Sequence, residues 1–494
     1  MRIFKYVLFF SAFFLFTNLT FAAAPNFAVR FTDGTFREFS GDQTLASSGN
    51  LLSAQITSLG GAEWRLNLAP NRSINEVWFP YESTSQNLGP SASNDLIYYP
   101  LLTGFVYDNT GTSWQTDGGR DTTEPCYPGD CFAPIVILAD SSEARMIAAS
   151  NWPPRGVTPV WQAGRLALKY RVNLTAGQTQ TFDTLVVETI ADQTLGYKPW
   201  QLALDVYQVW LQSQMTSAGL YPINYPDWMK EAHGFLHVIL SQTEYDPNIL
   251  RAKWDKWKTD FPWVQFWGQM NKTVDNCCAL KRMIDPGYLP DLLDFVQTVK
   301  QDGGHVSFYS RPMRPSEGSF YPPLDSSAPI PAPDTGEVMR PIAWLTSWIN
   351  TNHNYGADAY YLDVVGAVYL GDPLYVANLF KNRILPPSSF IEWPVDVYPT
   401  AYLLGGSFWG GANRHGGPGI TPEEVVSNPQ LTDAAFPAFG RYLLNDRIVF
   451  SGVSNGDFYN WGSATDGAYT FFNRYQGINR SCIANYWPAG FGYK

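Results

Sequence analysis

Ala359-Tyr360-Tyr361-Leu362-Asp363 and, further along, Phe390-Ile391-Glu392-Trp393-Pro394 are the two stretches on which the reading of this chain turns. Each is a short apolar run that meets a carboxylate. Runs of this length are too short for a helix and read as strands buried on both faces. A buried parallel strand that finishes on an acid sets that acid at the rim of a barrel, where the chemistry of such folds is held. Two acids on neighbouring strand ends are what cleavage of a glycosidic bond requires, one to protonate the leaving oxygen and one to attack the anomeric carbon or activate water.

Outward from this pair, the chain after residue 196 alternates apolar strands with helical stretches. Phe235–Leu240, Trp263–Trp267, His305–Tyr309, Ala359–Leu362, Ser389–Ile391 and Arg447–Phe450 read as six strands, and Leu289–Lys300, Trp344–Asn352, Leu374–Asn382 and Phe436–Asn445 as helices. Such alternation implies a parallel sheet covered by helices, with a (β/α)8 barrel as the leading form. A doubly wound sheet is the runner-up, but no Gly-rich phosphate loop opens any helix. Too few residues follow Phe450 for two more strand–helix units, so the barrel is expected to be incomplete at its C-terminal end or closed irregularly. Pro312 to Pro341, rich in Pro and Ser, reads as a long loop over the third strand.

The first part of the chain has a different period. Phe27-Ala28-Val29-Arg30-Phe31, Ala62 to Leu68 and Leu166 to Val172 alternate apolar with polar residues between Gly, Asn, Asp, Ser and Pro turns, the mark of half-buried antiparallel strands. A β-sandwich is expected here, with Phe182–Ile190 as its last strand. Lys198 to Met215 then reads as an amphipathic helix presenting Leu202, Val206, Val209 and Trp210. The expected division is a leader over 1–24, a sandwich over 25–196 and a barrel over 197–494.

The leader rests on Arg2 and Lys5, the apolar run Tyr6 to Phe16, and Ala22-Ala23-Ala24 before Pro25, the pattern of a secretory signal. The protein is therefore expected to be secreted or periplasmic. An uncleaved anchor is the alternative, and no later run is long enough to span a membrane. Loss of the leader makes the formal charge of −11 two units more negative. An acidic chain without basic runs is excluded as a nucleic-acid binder and does not suit an anionic membrane. Charged residues and aromatics each make up 16% of the chain, a balance that suits a neutral polar ligand such as a sugar, whose C–H faces stack on rings.

Of the five cysteines, Cys126 and Cys131 enclose a Tyr-Pro-Gly-Asp turn and are expected to form a disulfide, whereas the pairing of Cys277, Cys278 and Cys482 stays open. No His lies at zinc-ligand spacing from a cysteine, and His233 and His237 lack the HExxH chemistry, so neither a metal nor a cofactor is expected.

Asp363 is read as the nucleophile and Glu392 as the general acid/base, its proton held by the desolvating neighbours Phe390 and Trp393. The bland reading is that either acid pairs with an Arg or caps a helix. Asp457 competes as proton donor, and Asp396 is a candidate for a substrate hydroxyl. Trp267, Tyr309, Arg311 and Trp393 are candidate substrate walls or plain packing residues, and Asp285 is read as a turn residue. Gly452-Val453-Ser454-Asn455-Gly456 matches the nucleophile-elbow pattern, but no His follows that Ser in the chain, so it is read as a turn.

These residues also carry a family resemblance. Asp285-Pro286-Gly287-Tyr288-Leu289-Pro290, His305-Val306-Ser307-Phe308-Tyr309, the segment Gly356 to Asp363, Ile391-Glu392 and Phe436-Pro437-Ala438-Phe439-Gly440-Arg441-Tyr442 follow in an order that resembles bacterial glycoside-hydrolase-like proteins related to endo-α-N-acetylgalactosaminidases, over residues 40 to 460. The resemblance implies a galactose-mutarotase-like sandwich followed by a TIM barrel. It also implies a nucleophilic Asp ending the fourth strand and an acid/base Glu ending the fifth, here Asp363 and Glu392. The function expected is a secreted retaining glycoside hydrolase of α-linked sugars in oligosaccharides, polysaccharides or glycoprotein glycans. A non-catalytic carbohydrate-binding or decayed glycosidase is the alternative, favoured by the short C-terminus, and a structural surface protein is the third reading.

Overall fold

The computed structural model describes residues 19–20, 24–41, 51–83, 96–100, 105–108, 126–127, 131–152, 156–162, 165–191, 198–223, 226, 228, 234–240, 247–259, 262–268, 290–310, 313–315, 330–331, 337–339, 342–362, 373–393, 403–404, 406–409, 443, 448–455 and 468–471. The chain divides into two compact units, 1–219 and 220–494.

The first unit is built from two antiparallel sheets. One joins β4 (Leu52–Gly60), β5 (Glu63–Pro70), β13 (Gln180–Ile190), β10 (Glu143–Ala149), β9 (Ile135–Ala139), β7 (Leu96–Tyr99) and β8 (Phe105–Asp108) in that order, with β1 (Leu19–Thr20), inside the expected leader, beside β13. The other runs β11 (Thr158–Gln162), β12 (Arg165–Leu174), β6 (Ile74–Ser83), β2 (Phe27–Phe31), β3 (Phe36–Phe39). Alternation works as expected: Leu66 and Leu68 of β5 are fully buried, as are Val77 and Phe79 of β6, and these join Leu168, Tyr170, Phe182 and Val136 in one apolar core. Burying such side chains supplies roughly 1.5–3 kcal/mol each against leaving them in water. Between neighbouring strands, the cross-strand pair Arg65 and Asp183 makes a bidentate ion pair at 2.7 and 2.8 Å. Cys126 and Cys131 are joined within this unit, their Cα atoms 5.1 Å apart.

Helix α1 (Pro199–Ser217) closes the first unit, so the division falls after this helix rather than before it. Its buried face is also not the expected one. Trp200, Ala203, Leu204, Tyr207, Leu211 and Met215 are buried, whereas Val209 is 53% exposed. Apolar residues lie on several sides of this helix, and the contacts select among them. Trp200 stacks on Tyr98 at 5.0 Å, and the Thr189 hydroxyl donates to the Pro199 carbonyl at 2.8 Å.

In the second unit, eight strands pair in a closed order: β14 (Gly234–Leu240), β15 (Trp263–Gly268), β16 (His305–Ser310), β20 (Ala359–Leu362), β21 (Phe390–Trp393), β22 (Gly406–Trp409), β23 (Ile448–Asn455) and β24 (Ala468–Phe471). The first seven are parallel to their neighbours, and β24 lies antiparallel to both β23 and β14. β24, which the sequence reading did not identify as a strand, closes the order between β23 and β14. Helices α2 (Pro247–Trp257), α3 (Pro290–Gln301), α4 (Ile342–Asn354) and α5 (Pro373–Leu379) are interspersed, and a π-helical turn (Phe380–Ile384) extends α5.

Two readings are corrected here. Gly452–Asn455 continues β23 with an irregularity between Val453 and Asn455, instead of turning. A nucleophile elbow needs a sharp strand-to-helix turn at the serine, which a paired strand does not make. Within the loop expected over 312–341, β17 (Met313–Pro315), β18 (Ile330–Pro331) and β19 (Glu337–Met339) form a small antiparallel sheet in the order β17-β19-β18.

Candidate functional site

The parity of the ring strands is set by the helix they pack on. Leu292, Phe295, Val296 and Val299 are the buried stripe of α3, at the spacing of one helical face. Phe266 of β15 meets Phe295 edge-on at 5.9 Å and stacks on Phe308 of β16 at 5.4 Å. Phe266, Phe308, Tyr360 and Ile391 pair in register, so this row belongs to the helix side. Positions of opposite parity, Trp263, Ser307, Ala359 and Tyr361, face the inside of the ring, because successive strand residues alternate. The Trp263 indole N–H donates to the Ser307 hydroxyl at 3.0 Å on that side, both residues being fully buried.

At the start of the strands this interior is filled. Trp228 stacks on His305 at 3.9 Å and meets Trp263 edge-on at 5.5 Å. Asp358, just before β20, binds Lys300 Nζ at 2.7 and 2.9 Å and accepts the Val306 N–H at 3.0 Å. Burial would raise the Asp358 carboxyl, but His305, Lys300 and the Val306 N–H outweigh it and hold the group below the ordinary carboxylate range. His305 Nδ1 stands 3.4 Å from the same carboxylate, a longer approach than those of Lys300. We read this polar cluster as the brace that ties α3, β16 and β20 together, since the opposite, C-terminal ends are where such folds place reacting groups.

Towards those C-terminal ends the registers build a second row. Tyr309 pairs with Tyr361, Tyr361 with Glu392, Glu392 with Ser407, and Ser407 with Val449. Trp267 follows Phe266, whose partner is Phe308, and so occupies the same row. Four adjacent strand ends therefore bring together the positions of Trp267, Tyr309 and Glu392 around the buried Tyr361, which is 3% exposed. Trp393 lies one step further, opposite Phe408. Asp363, Arg311, Asp396 and Asp457 lie outside the described residues, as does Asp285. So do Cys277, Cys278 and Cys482, and the pair His233 and, by its side chain, His237.

The sequence reading missed β22. Gly405-Gly406-Ser407-Phe408-Trp409-Gly410-Gly411 carries glycines at both ends, which disfavour a strand by propensity, yet it inserts between the fifth and sixth expected strands. It adds Ser407 to the row of Glu392, and Trp409, two residues on, at a position of the same parity. The only available signal was the apolar Phe408-Trp409 pair between polar or glycine neighbours.

No family model matches this chain, and no curated protein matches it by sequence. Solved structures do match. The chain is similar to the α-N-acetylgalactosaminidase NagBb from Bifidobacterium bifidum in its Gal-NHAc-DNJ complex, with a TM-score of 0.51 and 12% identity over 87% of this chain and 79% of that one. It is similar to the GalNAc complex of the same enzyme with a TM-score of 0.50, again at 12% identity over 87% of this chain and 79% of that one. At such identity the likeness is one of fold: a multidomain arrangement of antiparallel β-sheet and α/β structure shared with a glycosidase.

Proposed function

We propose that this protein is a secreted glycoside hydrolase that cleaves O-glycosidic bonds, α-linked ones in particular, with retention of configuration. In this reading the eight-stranded ring is a (β/α)-type catalytic barrel closed by one antiparallel strand. Asp363 is the nucleophile, and Glu392 protonates the leaving oxygen and then activates water. Trp267, Tyr309, Arg311, Trp393, Asp396 and Asp457 contact the sugar. The observation that carries it is the register Tyr361–Glu392 between parallel neighbours, with Asp363 next in chain after Leu362.

Strands lie about 4.8 Å apart and rise about 3.3 Å per residue. A strand continued by one residue beyond Leu362 would set the Cα atoms of 363 and 392 about 8 Å apart, with equal parity. Carboxylates on side chains from that separation can converge to the roughly 5 Å of a double-displacement pair. The fold shared with an α-N-acetylgalactosaminidase supports the substrate class, so α-N-acetylgalactosaminides belong in the first panel of substrates.

The test is hydrolysis of aryl α- and β-glycosides, with the anomeric configuration of the first product followed by NMR. Retention and loss of turnover in Asp363→Asn are the expected results. Inversion would reject the double displacement. A protein that binds glycans without turning any over would establish the carbohydrate-binding alternative.

A further inference from the structure

Strand β4, nine residues long, lies at one end of the larger sheet in the first unit, and among the described residues only β5 pairs with it. We propose that the outer edge of β4 is a dimer interface, where β4 of one copy pairs antiparallel with β4 of a second copy about a two-fold axis.

An edge strand presents a row of backbone N–H and C=O groups that its own sheet does not satisfy, and proteins guard such rows with charge, proline or shortness. The other sheet ends of the first unit are guarded in these ways. β3 has four residues and carries Arg37 and Glu38, and β8 has four and ends on Asp108. β11 carries Pro159, whose carbonyl accepts the Tyr99 hydroxyl at 3.0 Å. β4 has none of these devices. Leu52-Ser53-Ala54-Gln55-Ile56-Thr57-Ser58-Leu59-Gly60 holds no charge and no proline, and Ser53, Gln55 and every residue from Thr57 to Gly60 are exposed.

Three features select a second copy as the occupant. An open edge takes an extended strand, and a two-fold axis lets the same nine residues supply both sides of the ladder. The chain carries a formal charge of −11, so two copies repel over much of their surface, yet β4 brings no carboxylate to the contact. Leu59, at 41% exposure, is one of four large apolar side chains exposed among the described residues, and a neighbouring strand removes part of it from water.

The experiment is sedimentation velocity of the whole chain over a hundredfold range of concentration, together with hydrogen exchange read by mass spectrometry. The native protein should sediment at twice the chain mass when concentrated, and amides in peptides covering β4 should exchange severalfold faster on dilution. Gln55→Lys combined with Thr57→Lys places lysines opposite one another in an antiparallel pair centred on residue 56 or 57, and it should be monomeric throughout. Two added positive charges lessen the repulsion between acidic chains, so loss of the dimer in this variant is an effect at the edge. A native protein that stays monomeric at the highest concentration overturns the proposal. So does a dimer that survives both lysines, or one whose β4 amides exchange at the same rate before and after dilution. Should the lysine variant melt early, the exchange of the native protein alone decides between these outcomes.

Discussion

Asp358→Asn removes the charge from the brace at the start of β20 while keeping its shape. The native carboxylate takes two contacts from Lys300 Nζ, at 2.7 and 2.9 Å, and the Val306 N–H at 3.0 Å. Hydrogen bonds to a charged group contribute roughly 1.5–3 kcal/mol, and an exposed ion pair contributes only about 0–1. Lys300 and Asp358 side chains are 34% and 23% exposed, between the two cases, so we expect a loss of about 2 kcal/mol. For a unit of this size that lowers the melting temperature by roughly 4–8 °C. The folded carboxyl lies below its ordinary value. Its contribution is therefore complete above the unfolded pKa of about 3.9 and is lost as the pH falls through the lower, folded value. Scanning calorimetry of the native protein and the variant between pH 7 and pH 3 should show a gap at pH 7 that narrows below pH 4. Equal melting at pH 7, or a gap that widens below pH 4, would refute the reasoning.

Gly304→Ala should destabilise the same unit by about 1–3 kcal/mol, because overpacked cores cost that much. A Cβ there would stand 2.7 Å from Trp254 Cζ2 and 2.8 Å from Val299 Cγ1, and Trp254 is pinned by its indole N–H on Asp302 at 2.9 Å. Denaturant unfolding checks this, and a neutral variant would contradict the packing. Cys126 and Cys131, with Cα atoms 5.1 Å apart, should resist alkylation in denaturant until a reductant is added, as peptide mass mapping would show. Labelling of both without reductant would contradict a bridge.

Much of this architecture was legible, and the exceptions have physical causes. Ala359–Leu362 is the strand that its apolar run announces, since all four residues are buried and period cannot mislead. In α1 the helix was readable, but its inward face was not. Leu202, Val206 and Val209 compete with Trp200, Tyr207 and Leu211, and only the partner sheet decides between them. β22 was hidden by flanking glycines, and β24 by its shortness and its antiparallel pairing, which the strand–helix rhythm of a parallel sheet does not anticipate. The site was legible only as a pattern of strand ends. That Tyr361 pairs with Glu392 depends on register, which a sequence without known pairings does not contain.

The most direct test of the central claim is covalent. Incubation with an activated fluorosugar whose glycosyl-enzyme turns over slowly, followed by digestion and mass mapping, should place the sugar on the peptide that contains Asp363, with Asp363→Asn unlabelled. Hydrolysis that persists in Asp363→Asn, or a sugar carried by any other residue, would contradict the account.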